Sequence, residues 1–172
     1  EKPIIALLPG SRKQELQRML PSMIAVADSI DTHDFVIAGA PNFSQIDYDA
    51  FFVKRPYQVV YDKTYSLLSQ AEAAIVTSGT ATLETALFSV PQVVCYKASS
   101  ASYHIAKRLV DIKYISLVNL ILDKEAVLEL IQNEMNEVQI KQELVKIIKG
   151  GEKREYQLKD YAELSQIMGK AG

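Results

Sequence analysis

Ala73-Ala-Ile-Val-Thr-Ser-Gly-Thr-Ala-Thr-Leu-Glu84 is the stretch on which the reading of this chain turns. Its apolar run, Ala73 to Val76, predicts a buried strand. The run breaks at Thr77-Ser78-Gly79-Thr80 and passes into a helical pattern with Ala81, Ala86 and Leu87 apolar. A strand that feeds a helix through small polar residues and glycine outlines a phosphate cradle. The first N–H groups of a helix lack intrahelical partners, the macrodipole places partial positive charge there, and glycine lets a ligand approach the main chain. Thr80 and Glu84 are four residues apart and share a helix face. A carboxylate one turn from the cradle repels phosphate, yet it can accept two hydrogen bonds from ribose hydroxyls. Both halves also have an ordinary reading, as a structural turn and a solvated glutamate. The functional reading is preferred because the design occurs twice.

The second occurrence is Ile4-Ile-Ala-Leu-Leu-Pro-Gly-Ser-Arg12, an apolar strand entering a glycine turn. Ser11 followed by Gln14 fits a capping box, and Leu16, Met19, Leu20, Met23 and Ala27 then recur at helical spacing. Gly10 and Ser11 are thus expected to open a helix with Arg12 in its first turn. A cation there opposes the dipole; it is either a solvated arginine or one that meets an anion at the carboxyl edge of a sheet. Two such edges in one sheet form one crevice.

Strands and helices alternate along the rest of the chain. Phe35–Ala38, Tyr57–Tyr61 and Gln92–Tyr96 read as further strands, and 44–52, 63–70 and 100–110 as helices. Tyr114–Val118 reads as a short sixth strand, and the pattern from Asp123 onward as helical only, broken near 133–136 and at Gly150-Gly151. The expected fold is therefore α/β, a Rossmann-like three-layer domain with a parallel sheet of about six strands. Residues 1–150 form the sheet domain and 151–172 a C-terminal helix, on which Leu158, Tyr161, Leu164 and Met168 make an apolar stripe. Ligands of such sheets sit beyond the carboxyl ends of the strands, where every candidate above falls.

Composition excludes several classes. The 172 residues, 48% of them hydrophobic, suffice for one domain with a core. With 19 Lys and Arg against 21 Asp and Glu, the net charge of −2 offers no basic field for nucleic acid. The one cysteine, Cys95, lies in an apolar strand and forms no internal disulfide. No apolar run approaches the roughly 20 residues of a membrane span. Asp47-Tyr-Asp49 has the spacing of a metal-binding pair but follows the second strand, and reads as surface. His33, in a loop, and His104, on a helix, have no acid or nucleophile at suggestive spacing and also read as surface.

The pairing of Leu8-Pro-Gly-Ser-Arg12, followed by Glu15, with Ser78-Gly-Thr-Ala-Thr-Leu-Glu84 resembles the C-terminal, donor-binding half of GT-B glycosyltransferases. It is more closely similar to the lipid-A-disaccharide synthase family of Gram-negative bacteria. Val93-Val-Cys-Tyr-Lys97, Ala106-Lys-Arg-Leu-Val110 and Tyr114-Ile-Ser-Leu-Val-Asn-Leu120 fit the same family in the same order. The resemblance implies inverting transfer of 2,3-diacylglucosamine from UDP to 2,3-diacylglucosamine 1-phosphate, with no metal or other cofactor. It implies that Gly79 and Thr80 bind the pyrophosphate, with Ser78 shaping the turn and Thr82 beside them, and that Glu84 holds the ribose. Gly10 and Ser11 would support Arg12, which neutralises the departing UDP. Tyr96 and Lys97 would follow the fifth strand near the donor, and Asn119 would face it. Lys97 stands where the family carries arginine, and Val118 where it carries proline, which loosens the loop before Asn119. The uracil would be held around Tyr57–Tyr61 and the loop after it.

The resemblance further implies a cytoplasmic protein peripheral to the inner membrane, with the acceptor's base and most lipid contacts in an N-terminal domain preceding Glu1. The isolated chain is then expected to bind UDP-sugar weakly and catalyse nothing, its last helix crossing back toward that domain. The alternatives are another GT-B enzyme acting on UDP-N-acetylglucosamine, or a non-catalytic module that docks a partner through the stripe of the last helix. A dinucleotide-dependent oxidoreductase would want G-x-G-x-x-G after the first strand, where this chain has Pro9-Gly-Ser-Arg-Lys13.

Overall fold

A computed structural model describes residues 1–109 and 113–171, without the side chains of 106–109 and 171. Six parallel strands, β1 (Ile4–Leu8), β2 (Asp34–Gly39), β3 (Gln58–Tyr61), β4 (Ala71–Thr77), β5 (Gln92–Tyr96) and β6 (Glu129–Ile131), form one sheet in the order β3-β2-β1-β4-β5-β6. The helices are α1 (Lys13–Asp28), α2 (Gln45–Asp49), α3 (Thr64–Gln70), α4 (Thr80–Leu87), α5 (Ser100–Leu109), α6 (Leu117–Leu122), α7 (Glu137–Ile147) and α8 (Arg154–Ala171). The expected Rossmann-like layering is what forms.

Side-chain alternation along the strands sorts the core into two layers. Ile5 and Leu7 of β1, Ala73 and Ile75 of β4, and Val93 and Cys95 of β5 point to one face, where α1 and α7 cover them through Leu20, Met23, Ile140 and Leu144. Ala6, Leu8, Ala74 and Val76 point to the other face, under Leu67 and Leu68 of α3. Farther along that face, Val94 is covered by Ala86 of α4, Val118 of α6, and Tyr161 and Leu164 of α8. Strands buried on both sides read as continuous apolar runs, which is why the sequence showed them. Pro21 lies inside α1 on its exposed side, where the carbonyl left without a donor faces water.

The structure corrects three expectations. Tyr114–Val118 is not a strand: Ser116 accepts from the backbone N–H of Asn119 at 3.3 Å and starts α6. The sixth strand is instead Glu129–Ile131, inside the region read as helical only. At three residues it is too short for its alternation to show, and pairing with Val94–Tyr96 of β5 makes it a strand. The apolar stripe of α8 is not exposed either, since Tyr161 and Leu164 are buried in this domain and Leu158 and Met168 pack against them. Of the segment Ala106–Val110, Val110 lies outside the described residues.

His33 differs from its surface reading. Its Nε2 lies 2.6 Å from Glu72 Oε2, joining the entry of β2 to that of β4, and its side chain is 9% exposed. His104 is exposed. Asp47 accepts from the backbone N–H of Ser44 at 2.8 Å and Asp49 accepts from Gln45 Nε2 at 2.8 Å, so the pair caps and staples α2.

Cys95 is fully enclosed, and burial pushes its thiol from an ordinary 9.0 up to about 12. Burial also raises Tyr57 to about 12 and raises Tyr161 from 10.0. A pKa raised by folding means stability that is complete below the unfolded value and lost as pH climbs through the folded one. The stability these three groups contribute is therefore expected to be constant below about pH 9 and to fall as pH rises from about 9 toward 12. At pH 8 a thiol reagent should label Cys95 only as fast as the protein opens. Labelling at the rate of a free thiol without denaturant would contradict this placement.

Candidate nucleotide-binding cleft

β1 and β4 are neighbours in the sheet, but the chain leaves them in opposite directions, β1 through α1 to β2 and β4 through α4 to β5. The two helices cover opposite faces, so a crevice opens between them at the carboxyl ends of the strands. A cleft of about 310 Å³ occupies this point. Gly10, Ser11 and Glu15 line one side, Ser78, Gly79, Thr80, Ala81 and Glu84 another, the β2 loop Ala38–Pro41 and Thr64 the end, and Leu8 and Thr77 are also in its wall.

The turn after β1 requires its glycine: Gly10 has φ +98°, and a Cβ there would come within 3.0 Å of the Glu15 side chain. The helix cap is shifted by one residue from the expected box. Arg12 is the N-cap, and Glu15 Oε1 accepts from its backbone N–H at 3.2 Å. A guanidinium accepts no hydrogen bond, so only this half of a capping box exists. Arg12 accordingly precedes the first turn instead of standing in it. Its side chain is exposed and does not line the cleft. The carbonyl of Ser11 accepts from Asn42 Nδ2 at 3.0 Å, which ties the loops after β1 and β2 together.

The turn after β4 is more constrained. The Ser78 N–H still follows the sheet, donating to the Cys95 carbonyl at 2.9 Å. Gly79 then adopts φ +153°, ψ −163°, a region that L side chains avoid, so glycine is needed for its backbone even though no neighbour lies where a Cβ would be. The Gly79 carbonyl accepts from the Thr82 N–H at 3.2 Å and from Thr82 Oγ1 at 2.8 Å. Thr82 is thereby fully buried beneath the loop: it holds the turn and does not line the cleft, a correction to its expected place.

Gly10, Ser11, Ser78, Gly79, Thr80 and Glu84 do share the cleft. Tyr96 and Lys97 do not line it; the loop they enter is held by a pair of hydrogen bonds between Gln132 and Ala98, at 2.7 and 3.2 Å. Asn119 is also corrected. It is fully buried, and its Oδ1 accepts from the backbone N–H groups of Ala126 and Val127 at 2.8 and 3.0 Å. Its Nδ2 donates to the Val127 carbonyl at 2.8 Å and to Glu129 Oε2 at 3.1 Å. The amide folds the α6–β6 connection and has no face left for a donor.

Sequence reading placed Thr77 at the cradle turn without giving it a ligand contact, and it missed Glu15 as the cap of α1. The spacing of Glu15 three residues after Arg12 carried the second signal, but the better-capping Ser11 masked it. Every side chain lining the cleft is neutral or acidic. An anion bound there is met by the amino ends of α1 and α4, with Arg12 and Lys13 exposed at the entrance of α1. Among the described residues no cluster of His, Cys, Asp and Glu suited to a metal ion is found, and no helix is long and apolar enough to cross a membrane.

Known proteins agree with this architecture. The model of the family described as Lipid-A-disaccharide synthetase matches residues 1–170. The chain is 32% identical to the lipid-A-disaccharide synthase of Solibacter usitatus, over 100% of the chain and 46% of that protein. It is 35% identical to the one from Syntrophus aciditrophicus, over 98% and 46%, and 34% identical to the one from Persephonella marina, over 100% and 48%. It thus spans about half the length of the curated relatives it matches. Among solved structures, the glycosyltransferase SnogD from Streptomyces nogalater superposes on the whole chain with a TM-score of 0.52 at 18% identity, over 43% of its own length, which speaks to the fold. With a family match across nearly its full length and relatives above 30% identity, the chain belongs to the lipid-A-disaccharide synthetase family.

Proposed function

We propose that this chain is the donor-nucleotide-binding part of a lipid-A-disaccharide synthase. The observation that carries the proposal is the convergence of two glycine turns and two helix amino ends on one cleft, with Glu84 one turn along α4. The diphosphate of UDP lies between the turns, where Gly79 and Thr80 offer backbone N–H groups and Ser11 and Ser78 offer hydroxyls. Glu84 accepts from the ribose hydroxyls. Arg12, on an exposed side chain at the start of α1, swings to the diphosphate when the donor binds.

In the reaction the acceptor's 6-hydroxyl attacks the anomeric carbon of UDP-2,3-diacylglucosamine with inversion. The bond from that carbon to the β-phosphate oxygen breaks, and UDP leaves with the electron pair. Negative charge grows on the diphosphate as the bond lengthens, and preorganised helix amino ends favour that change at no further cost in reorganisation. The base that takes the hydroxyl proton comes from the half of the longer relatives that this chain does not span. On this reading the chain alone binds UDP without transferring sugar, the division near residue 150 separates the nucleotide domain from a helix that continues toward the other half, and the protein works at the cytoplasmic face of a membrane.

Calorimetric titration with UDP tests the reading. Glu84→Ala is expected to weaken binding roughly 10-fold or more, the worth of hydrogen bonds to a charged group. Arg12→Ala should weaken it about threefold to tenfold and reduce its salt dependence. Full affinity in the Glu84→Ala protein would refute the ribose assignment.

A further inference from the structure

We infer that Thr77 is a ligand-binding residue of this cleft, its hydroxyl directed to an oxygen of the bound diphosphate; the inference rests on the nucleotide reading above. Thr77 is the last residue of β4 and is 5% exposed. It lies in the cleft wall, directly before the Ser78-Gly79 turn. Its Oγ1 is buried and has no hydrogen-bond partner, whereas nearby Thr82 and Thr85 donate to the carbonyls of Gly79 and Ala81 at 2.8 and 2.7 Å. An enclosed hydroxyl without a partner costs stability. The position pairs with Cys95 in an otherwise apolar layer, where valine would fill the same space at no such cost. The orphaned hydroxyl is explained if the partner is a ligand, and the cleft beside it is where the amino ends of α1 and α4 favour an anion. A rotation of about 120° about the Cα–Cβ bond moves the hydroxyl to another staggered position, and on this inference the ligand-bound rotamer is the one that turns it to the cleft. There it donates to a phosphoryl oxygen, while the Gly79 and Thr80 N–H groups hold the same anion from the α4 side.

Thr77→Val and Thr77→Ser separate this role from a purely structural one. The valine variant keeps shape and removes the hydroxyl; without ligand it should melt a few degrees higher, as expected when an unsatisfied buried group is deleted. It should also bind UDP and inorganic pyrophosphate roughly 10-fold more weakly, whereas the serine variant stays within about twofold to threefold of the parent. A valine variant that melts higher but binds both ligands as the parent does would overturn the proposal while leaving the nucleotide reading intact. Weakened UDP binding with unchanged pyrophosphate binding would overturn the diphosphate assignment. A folded parent protein that binds neither ligand, in this chain and in the full-length protein, would overturn the nucleotide reading and this inference together.

Discussion

An Asn119→Ala protein is expected to lose about 2–4 kcal/mol of folding stability, the summed cost of leaving a buried N–H donor and a buried carbonyl unpaired at roughly 1–3 kcal/mol each, less local relaxation. Both groups belong to Val127, whereas the Ala126 N–H loses Asn119 but still donates to the Lys124 carbonyl at 3.0 Å. Glu129 loses one of its hydrogen bonds in the same step, though its carboxylate still accepts from Ile115 and Ser116. Because this connection delivers β6 to the edge of the sheet, the loss should appear as a lower midpoint in urea and as earlier amide exchange across residues 115–131. Where the mutant remains folded, UDP affinity should stay within about threefold of the parent, since the side chain faces the connection and not the cleft. A stable, normally melting mutant with UDP binding abolished would instead place Asn119 at the donor.

The second large effect is expected at Tyr161. Truncation to alanine removes a fully buried ring between α4, α6 and β5, with an expected cost of about 3–5 kcal/mol. The hydroxyl donates to Gln157 Oε1 at 2.9 Å and accepts from Gln92 Nε2 at 3.3 Å. Gln157 in turn pairs with the backbone of Gln92, accepting from its N–H at 2.8 Å and donating to its carbonyl at 3.2 Å. β6 pairs only with Val94–Tyr96, so the side-chain amide of α8 supplies a donor and an acceptor that the short strand does not reach. Tyr161→Phe keeps the packing and should cost about 1 kcal/mol, the net worth of a hydrogen bond. Chemical denaturation of both variants checks the assignment. A loss below about 0.5 kcal/mol in the alanine variant, the range of an ordinary surface change, would mean that α8 is an appendage and not part of this core.

These two residues also mark where sequence reading reaches its limit. Polar Asn119, in a segment similar to a donor-site motif, reads equally as a ligand contact or as a turn cap, because both uses ask for the same amide. Its four partners lie at Val127, Glu129, Ala126 and Val127 again, and only folding brings them around it. Tyr161 belongs to an amphipathic pattern that states that a face will be covered without stating by what. The partner proved to be Val94 and Ala86 of the same chain.

By itself, the sequence determined the sheet-and-helix alternation, the two glycine turns and the position of Glu84, all features of local period and backbone chemistry. Strands buried on both faces are apolar throughout, and the turns at Gly10 and Gly79 use backbone conformations that few other residues tolerate. Tertiary structure alone decided strand order, the seating of α8, the identity of the sixth strand and which side chains reach the cleft. Glu129–Ile131 becomes a strand because β5 offers an edge, and the two turns share one cleft because β1 and β4, separated by more than 60 residues, lie side by side. Such pairings are set by long-range packing, to which local propensity is blind.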